Sequence, residues 1–314
     1  MAAPIDAVLL IAFGGPEKPD DIRPFLAHVT RGRPTPPARL EEVARHYERI
    51  GGRSPLNEWT FRQADALRAR LRASGVALPI YVGMRHWTPF LDQTLAAMAA
   101  GGVGEVLGII LSAHQTEASW ARYQAHVVEA RARLGPAAPA MRYTPEWHAE
   151  PGFIEATADR VAAALEAVPA PARPATPVVF TAHSVPVAMA EASPYVAQVA
   201  ESARLVAGRL GLARWSVAYQ SRSGRPEDPW LEPEVGDEVR RLAAAGARHV
   251  VAAPIGFVCD HVEVLYDLDV EVRAIAAACG LGFHRAGTVG DHPAFIGMLA
   301  DRVRAALDSG GAHR

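Results

Sequence analysis

"VVAAPIGFVCDHVEVLYDLDVE", residues 250–271, is the stretch on which the reading of the chain turns. Val250 to Val258 is a near-continuous apolar run, as a strand covered on both faces requires. The run stops at Cys259-Asp260-His261, after which carboxylates recur at Glu263, Asp267 and Glu271, with Asp269 beside them. A buried strand that ends in polar residues and passes into a helical pattern is an α/β feature, and such sheets bind ligands outside the carboxyl ends of their strands. On an α-helix, each step of four residues turns only ~40° past a full turn and rises ~6 Å. Glu263, Asp267 and Glu271 would then form an acidic ladder along one wall.

Two readings of the ladder stand side by side. Asp260-x-x-Glu263 has the spacing of a capping box, with Asp in place of Ser or Thr, and acidic residues suit the first turn of a helix. The remaining carboxylates would then be a solvated face. Against this, carboxylates four apart repel one another, and none of the three has a basic residue four positions later. A divalent cation relieves that repulsion.

The same alternation extends outward. Strand candidates are 7–13, 79–84, 106–113, 177–182, 216–221, 249–258 and 282–287, separated by helical patterns such as 39–50, 60–74, 153–168 and 234–246. This predicts a doubly wound α/β protein. The irregular stretch 134–152 suggests a boundary between domains 1–145 and 146–314, with the terminal helix free to pack back on the first. The halves echo each other: strands run into Phe13-Gly14-Gly15 and His183-Ser184, into Met84-Arg85-His86 and Gln220-Ser221-Arg222, and into Ser112-Ala113-His114 and Asp260-His261. The spacings differ, so the repeat signal is weak.

Composition narrows the chemistry. With 314 residues and a net charge of -2, the chain has no basic surplus of the kind nucleic-acid binders carry. Its two cysteines, Cys259 and Cys279, make no CxxC pair, which speaks against a disulfide framework or a cysteine-built metal centre. Lys18 is the only lysine and sits in a polar turn, a poor place for a Schiff base. The N-terminus has no basic leader and its apolar run is too short for a transmembrane segment. These features lead us to expect a soluble cytoplasmic protein.

Three further clusters qualify. His183 closes the strand "VVFTA" and precedes Pro186, so its ring should project from a strand end; a lone histidine there is also an ordinary structural hydrogen-bonder. Ser184 lacks the flanking glycines of a nucleophile elbow, with Ala182 and Pro186 in their places. Arg31, Arg33, Arg53 and Ser54 offer donors suited to carboxylates, and Gly51-Gly52 permits close backbone approach. In an arginine-rich chain such a loop is often only solvated. His114, Trp120, Tyr123 and Trp230 add aromatic surface, which together with the arginines fits a flat, apolar, anionic ligand.

With these residues in view, the chain resembles the ferrochelatases, enzymes that insert Fe2+ into a porphyrin. "TAHSVP" (181–186) is similar to their Ser-Ala-His-Ser-Leu-Pro segment. "YQSRSGRPEDPWLEP" (219–233) resembles their Gln-Ser…Pro-Trp-Leu-x-Pro segment, and residues 254–271 resemble their long Asp-His-x-Glu signature. "LLIAFGGPE", "VTRGR", "HYERIGGRSPL" and "VGMRHWTPF" extend the likeness from about residue 5 to about 305. Within the family the "TRGRPTP…HYERIGGRSPL" region looks most like the coproporphyrin III ferrochelatases of Gram-positive bacteria.

The resemblance implies a class II chelatase-like fold, two similar Rossmann-like domains with parallel sheets and a porphyrin cleft between them, and a role in haem biosynthesis as a monomer. His183 and Glu263 match the family's catalytic, metal-contacting pair. Asp267 and Glu271 match the acidic residues behind it, with a second divalent ion such as Mg2+ as a candidate occupant. Phe13, Arg31, His46, Tyr47, Ser54 and Tyr123 match porphyrin-binding positions. Phe13 stands where close relatives have a tyrosine able to reach the metal, and Thr30 where some have arginine. Two cysteines cannot build the four-cysteine iron–sulfur cluster of some members, so Fe2+ is expected as substrate, with no permanently bound cofactor. Readings that stay open are a protoporphyrin IX ferrochelatase, another tetrapyrrole chelatase such as a cobaltochelatase, and a non-catalytic haem carrier.

Overall fold

The computed structural model describes residues 4–32, 35–223 and 227–311; Arg33 lies outside them. The chain forms two compact α/β units. The first takes in the chain up to Ser112, then Ala118–Glu146 and the terminal stretch from Pro293; the second takes in Ala113–Glu117 and Trp147–His292. The helix Pro293–Gly311 belongs to the first unit, where it packs on the helix Leu56–Ala73.

The first unit is built on β1 (Ala7–Ala12), β2 (Ile80–Met84), β3 (Glu105–Ile110) and β4 (Ala140–Tyr143), parallel throughout, in the order β2-β1-β3-β4. The second is built on β5 (Val178–His183), β6 (Trp215–Gln220), β7 (His249–Ala253) and β8 (Gly282–Arg285), also parallel, in the order β6-β5-β7-β8. The two orders are the same, so the weak echo in the sequence is a repeat of topology. Central strands are the most apolar: every residue of β1 is buried, as a parallel strand with helices on both faces demands. Helices occupy Pro37–Arg49, Leu56–Ala73, Pro151–Glu166 and Val235–Ala244, within a few residues of expectation.

Two strand expectations need correction. β4 lies inside the stretch read as irregular; it is a short edge strand, mostly half-buried, and carries no apolar run to betray it. β7 ends at Ala253 rather than residue 258. Pro254 brings no N–H to the ladder, and the chain turns: Gly256 N–H donates to the Thr181 carbonyl at 3.0 Å and Phe257 N–H to the Pro254 carbonyl at 3.1 Å. Ile255 and Val258 are apolar because they are buried in that turn. Gly256 fits because a Cβ there would stand 2.7 Å from the Ala182 Cα, just ahead of His183.

The segment after β7 owes its direction to the core. Val264, Leu268 and Val272 pack with Val179, Val250 and Leu281 in the second unit. These apolar residues recur every four, one position after each of Glu263, Asp267 and Glu271. Burying one row therefore puts the carboxylates on an adjacent wall. Among the described residues, no helix is long and apolar enough to cross a membrane.

Candidate active site

In the second sheet the strand order reverses at β5: β6 lies on one side of it and β7 on the other. Ligands of open α/β sheets bind at that switch point. His183 is the last residue of β5, and Glu263 lies ten residues after the last residue of β7, Ala253. His183 Nε2 stands 3.5 Å from Glu263 Oε1, with 32% and 35% of the two side chains exposed, so the pair is held yet reachable.

Backbone carbonyls orient the pair. The Ser184 carbonyl only accepts, so His183 Nδ1 carries the proton that it receives and Nε2 is left to face Glu263. Tyr195 Oη–H donates to the His183 carbonyl at 2.8 Å. The loop after β5 is tied to the Pro-Trp-Leu segment: Ser184 Oγ–H donates to the Leu231 carbonyl at 3.0 Å, and Leu231 N–H to the Val185 carbonyl at 3.0 Å. The two motifs brace each other.

Sequence reasoning passed over His261 as a site residue. Its Nε2 faces Glu263 Oε2 at 3.3 Å and its Nδ1 faces the Cys259 carbonyl at 3.2 Å. Glu263 thus has an imidazole at each oxygen. Burial pushes the Glu263 carboxyl toward its neutral form, but the charge and hydrogen bond of His183, with His261, hold it well below the usual carboxylate range. Burial likewise opposes the imidazolium of His183. The Glu263 charge and hydrogen bond, helped by the Ser184 carbonyl and Asp267, override it and raise that pKa to about 9. The resting pair at neutral pH is imidazolium and carboxylate.

The acidic wall is not a uniform α-helix. One α-turn, Val262–Leu265, passes into a π-helical stretch, Asp267–Val272, and then the helix Arg273–Ala278. Glu271 N–H bonds the Tyr266 carbonyl five residues back at 3.0 Å. A widened turn takes up the ~40° overshoot that four residues make on an α-helix, keeping the carboxylates in line. The capping-box reading is overturned here. The N-cap is His261 with no side-chain cap bond, while Asp260 is gripped by Arg285 at 3.2 and 3.0 Å and by Thr288 Oγ1 at 3.0 Å. Asp269 takes Arg285 Nε at 2.8 Å and Arg273 Nη2 at 3.2 Å.

β6 supports the wall from its end. The Gln220 side-chain amide donates to the Glu263 carbonyl, and the Ser221 hydroxyl donates to Asp267. Ser221 sits at φ 63°, a left-handed conformation that costs a non-glycine residue of order 1–3 kcal/mol. Burial, then the Glu263 and Glu271 charges, raise Asp267 to about 7 against the Ser221 bond and His183. Glu271 is exposed at the far end. Among the described residues, no three His, Cys, Asp or Glu side chains converge as a ready-made metal cage. Cys259 is buried, which pushes its thiol pKa up and suits it poorly as a ligand.

The remaining candidates lie in the first unit or away from the pair. Phe13 follows β1, is 36% exposed and packs on His86 with ring centroids 4.5 Å apart. His28 and His126 stand 5.6 and 6.3 Å from His86, an imidazole cluster that the sequence reading missed. Burial, then Arg31 for His28 and Arg85 for His126, lowers the pKa of both. Arg31 is exposed. His46 is half-buried, and burial and then Arg39 lower its pKa. Tyr47 is buried edge-on to Phe25, Ser54 is buried with its Oγ accepting from Leu56 N–H at 3.3 Å, and Tyr123 is buried with Arg85 over its ring. Trp120 is buried and donates to the Ser112 carbonyl at 3.0 Å. His114 is buried, lowered to about 3 by burial and then His148, and 3.0 Å from Ser202 Oγ. It is a core histidine.

With this geometry in hand, comparison with known proteins is informative. The ferrochelatase family profile matches residues 5–307. A coproporphyrin III ferrochelatase of Nocardia farcinica is 44% identical over 97% of this chain and 89% of its own length. A ferrochelatase of Rhodopirellula baltica is 42% identical over 97% of this chain and 87% of its own. SirB from Bacillus subtilis with Fe3+ shares the fold, with a TM-score of 0.60, 12% identity and 98% coverage of both chains.

The Glu263–His183 pair makes a signed prediction. Its carboxylate half is complete above the ordinary value of 4.5 and is lost as pH falls through the lowered pKa; its imidazolium half is complete below 6.5 and is lost as pH rises through about 9. Glu263→Gln removes the charge that raises His183. An NMR titration of the imidazole should show its pKa fall from about 9 toward 6.5 or below. A value that stays near 9 would show that Glu263 does not set it.

Proposed function

Because the chain belongs to the ferrochelatase family, we propose that it inserts Fe2+ into coproporphyrin III to give coprohaem. The observation that carries the chemistry is the oriented His183–Glu263 pair at the switch point of the second sheet. The coproporphyrin assignment is supported by relatives of that name at 41–45% identity. The likeness to a sirohydrochlorin chelatase in complex with cobalt, at 12% identity, bears on the fold alone.

Metallation removes two pyrrole protons as Fe2+ exchanges water for ring nitrogens. His183 is the principal acceptor, with Nδ1 fixed on Ser184 and Nε2 turned to the reacting centre. The resting imidazolium must first release its Nε2 proton to solvent, which the partial exposure of the pair permits. Fe2+ drawn to the Glu263 carboxylate weakens the attraction that keeps it there, so arrival of the metal frees the base. Glu263 and His261 form the route for the second proton.

Asp267 and Glu271 deliver or sense the ion. Oxygen ligands suit hydrated hard cations and hold them without the grip of thiolates. A carboxyl with a pKa near 7 exchanges a proton for a cation at neutral pH. A second divalent ion such as Mg2+ is the candidate occupant, with no resident cofactor. Of the expected propionate anchors, Arg31 is the exposed donor; Ser54 and Tyr123 act from within the core. All the residues of the metal wall come from one chain, so a monomer suffices, and we place the reaction in the cytoplasm.

Anaerobic incubation with Fe2+ and either coproporphyrin III or protoporphyrin IX, followed by absorbance, tests the substrate. Catalytic efficiency should be at least about tenfold higher with coproporphyrin III; equal or better efficiency with protoporphyrin IX would overturn the assignment.

The ladder is tested by rate against Fe2+ concentration. Asp267→Asn and Glu271→Gln should raise the Fe2+ needed for half-maximal rate by about threefold or more while the saturated rate stays within about twofold. Glu263→Gln should lower the saturated rate itself by more than about tenfold. Unchanged curves for the first two variants would reduce their carboxylates to a solvated face.

A further inference from the structure

A second pair of imidazoles lies in the same unit, on β7 and β8. His249 opens β7 and pairs in register with Gly282 of β8; His284, two residues further along β8, pairs with Val251. His249 and His284 are therefore diagonal neighbours on one face of the sheet. Gly282 lets them meet, since a Cβ there would stand 2.2 Å from His249 Nδ1. With no side chain in the way, the His249 ring leans across the strand until its Nδ1 stands 3.3 Å from His284 Nε2.

That separation fits two readings. It serves for a hydrogen bond from one imidazole N–H to the other ring's bare nitrogen, if one of the two nitrogens carries a proton. It also matches the edge of a tetrahedron around an ion with nitrogen ligands at about 2.0–2.1 Å, which is roughly 3.3–3.4 Å. The rings are tilted by 43°, with centroids 5.5 Å apart. Both residues are half-buried, which leaves the pair reachable from solvent. Arg273, whose charge reaches His284, is already paired with Asp269 at 3.2 Å.

We propose that His249 and His284 form a second metal site, taking a borderline divalent cation of the Zn2+, Ni2+ or Cu2+ class. His249 Nδ1 and His284 Nε2 are the ligands, each ring keeping its proton on the other nitrogen, and water completes the coordination. Imidazole suits these ions better than the oxygen ladder does. The site draws on neither His183 nor Glu263. Its His249 end lies at the start of β7, about 13 Å of strand from the end that leads to the acidic wall.

The test is calorimetric titration of the untagged protein with Zn2+ alone, without porphyrin, in wild type, His249→Gln/His284→Gln and His183→Ala. Wild type should take up one zinc that the double variant does not, and His183→Ala should keep it. The single change His284→Gln, which spares His249 and alters one half-buried ring, should weaken that zinc by at least about tenfold because the chelate is lost. A far-UV circular dichroism spectrum matching wild type confirms that each variant is folded. Equal zinc uptake and affinity in wild type, the double variant and His284→Gln would overturn the site and leave the pair as a hydrogen bond between strands. Loss of the zinc in His183→Ala would assign it to the acidic wall instead and overturn the site equally.

Discussion

One carboxylate between two imidazoles is the constraint around which the second unit is arranged. Glu263 is partly buried, and an ion there is costly unless it is paired. His183 on one oxygen and His261 on the other supply the pairing, and each imidazole turns its remaining nitrogen to a backbone carbonyl. The result is a fixed group of acids and bases that holds a proton at rest and has donors and acceptors in place to pass protons on. Proton traffic of this kind is what a reaction that strips protons from a ligand as a cation enters it requires.

The rest of the unit keeps that arrangement in register. Arg285 ties Asp260, just ahead of His261, to Asp269, inside the π-helical stretch, so both ends of the Glu263 segment hang on one guanidinium. Gln220 and Ser221 hold the same segment from β6, and Ser221 adopts a left-handed backbone to do so. Strain of that kind persists where surrounding contacts over-determine it. The π-helical widening serves the same end: it keeps Glu263, Asp267 and Glu271 on one wall while Val264, Leu268 and Val272 stay in the core.

Much of this was legible in the sequence because it depends on local pattern. Apolar runs marked the central strands, polar residues after them marked the strand ends, and the long Asp-His-x-Glu signature singled out Glu263. What was not legible depends on partners distant in the chain. Asp260 read as a helix cap because its spacing to Glu263 is that of a capping box; its actual partner, Arg285, is 25 residues away and visible only once β8 is placed. His261 was passed over because a histidine beside an aspartate has no distinctive period. β4 was missed because an edge strand need not be apolar, and β7 was drawn too long because a buried turn is as apolar as a strand. Tyr47, Ser54 and Tyr123 are identifiable by motif, but their burial is a property of the packed unit.

The central claim is that His183 accepts protons from the porphyrin, and a single substitution tests it. Metallation of coproporphyrin III by His183→Ala is followed by absorbance at saturating Fe2+ and porphyrin, with porphyrin affinity measured separately by fluorescence quenching. The account predicts that the variant binds porphyrin within about tenfold of wild type and turns over at less than about a tenth of its rate. A variant that keeps more than a tenth of the wild-type rate while binding porphyrin normally would contradict it.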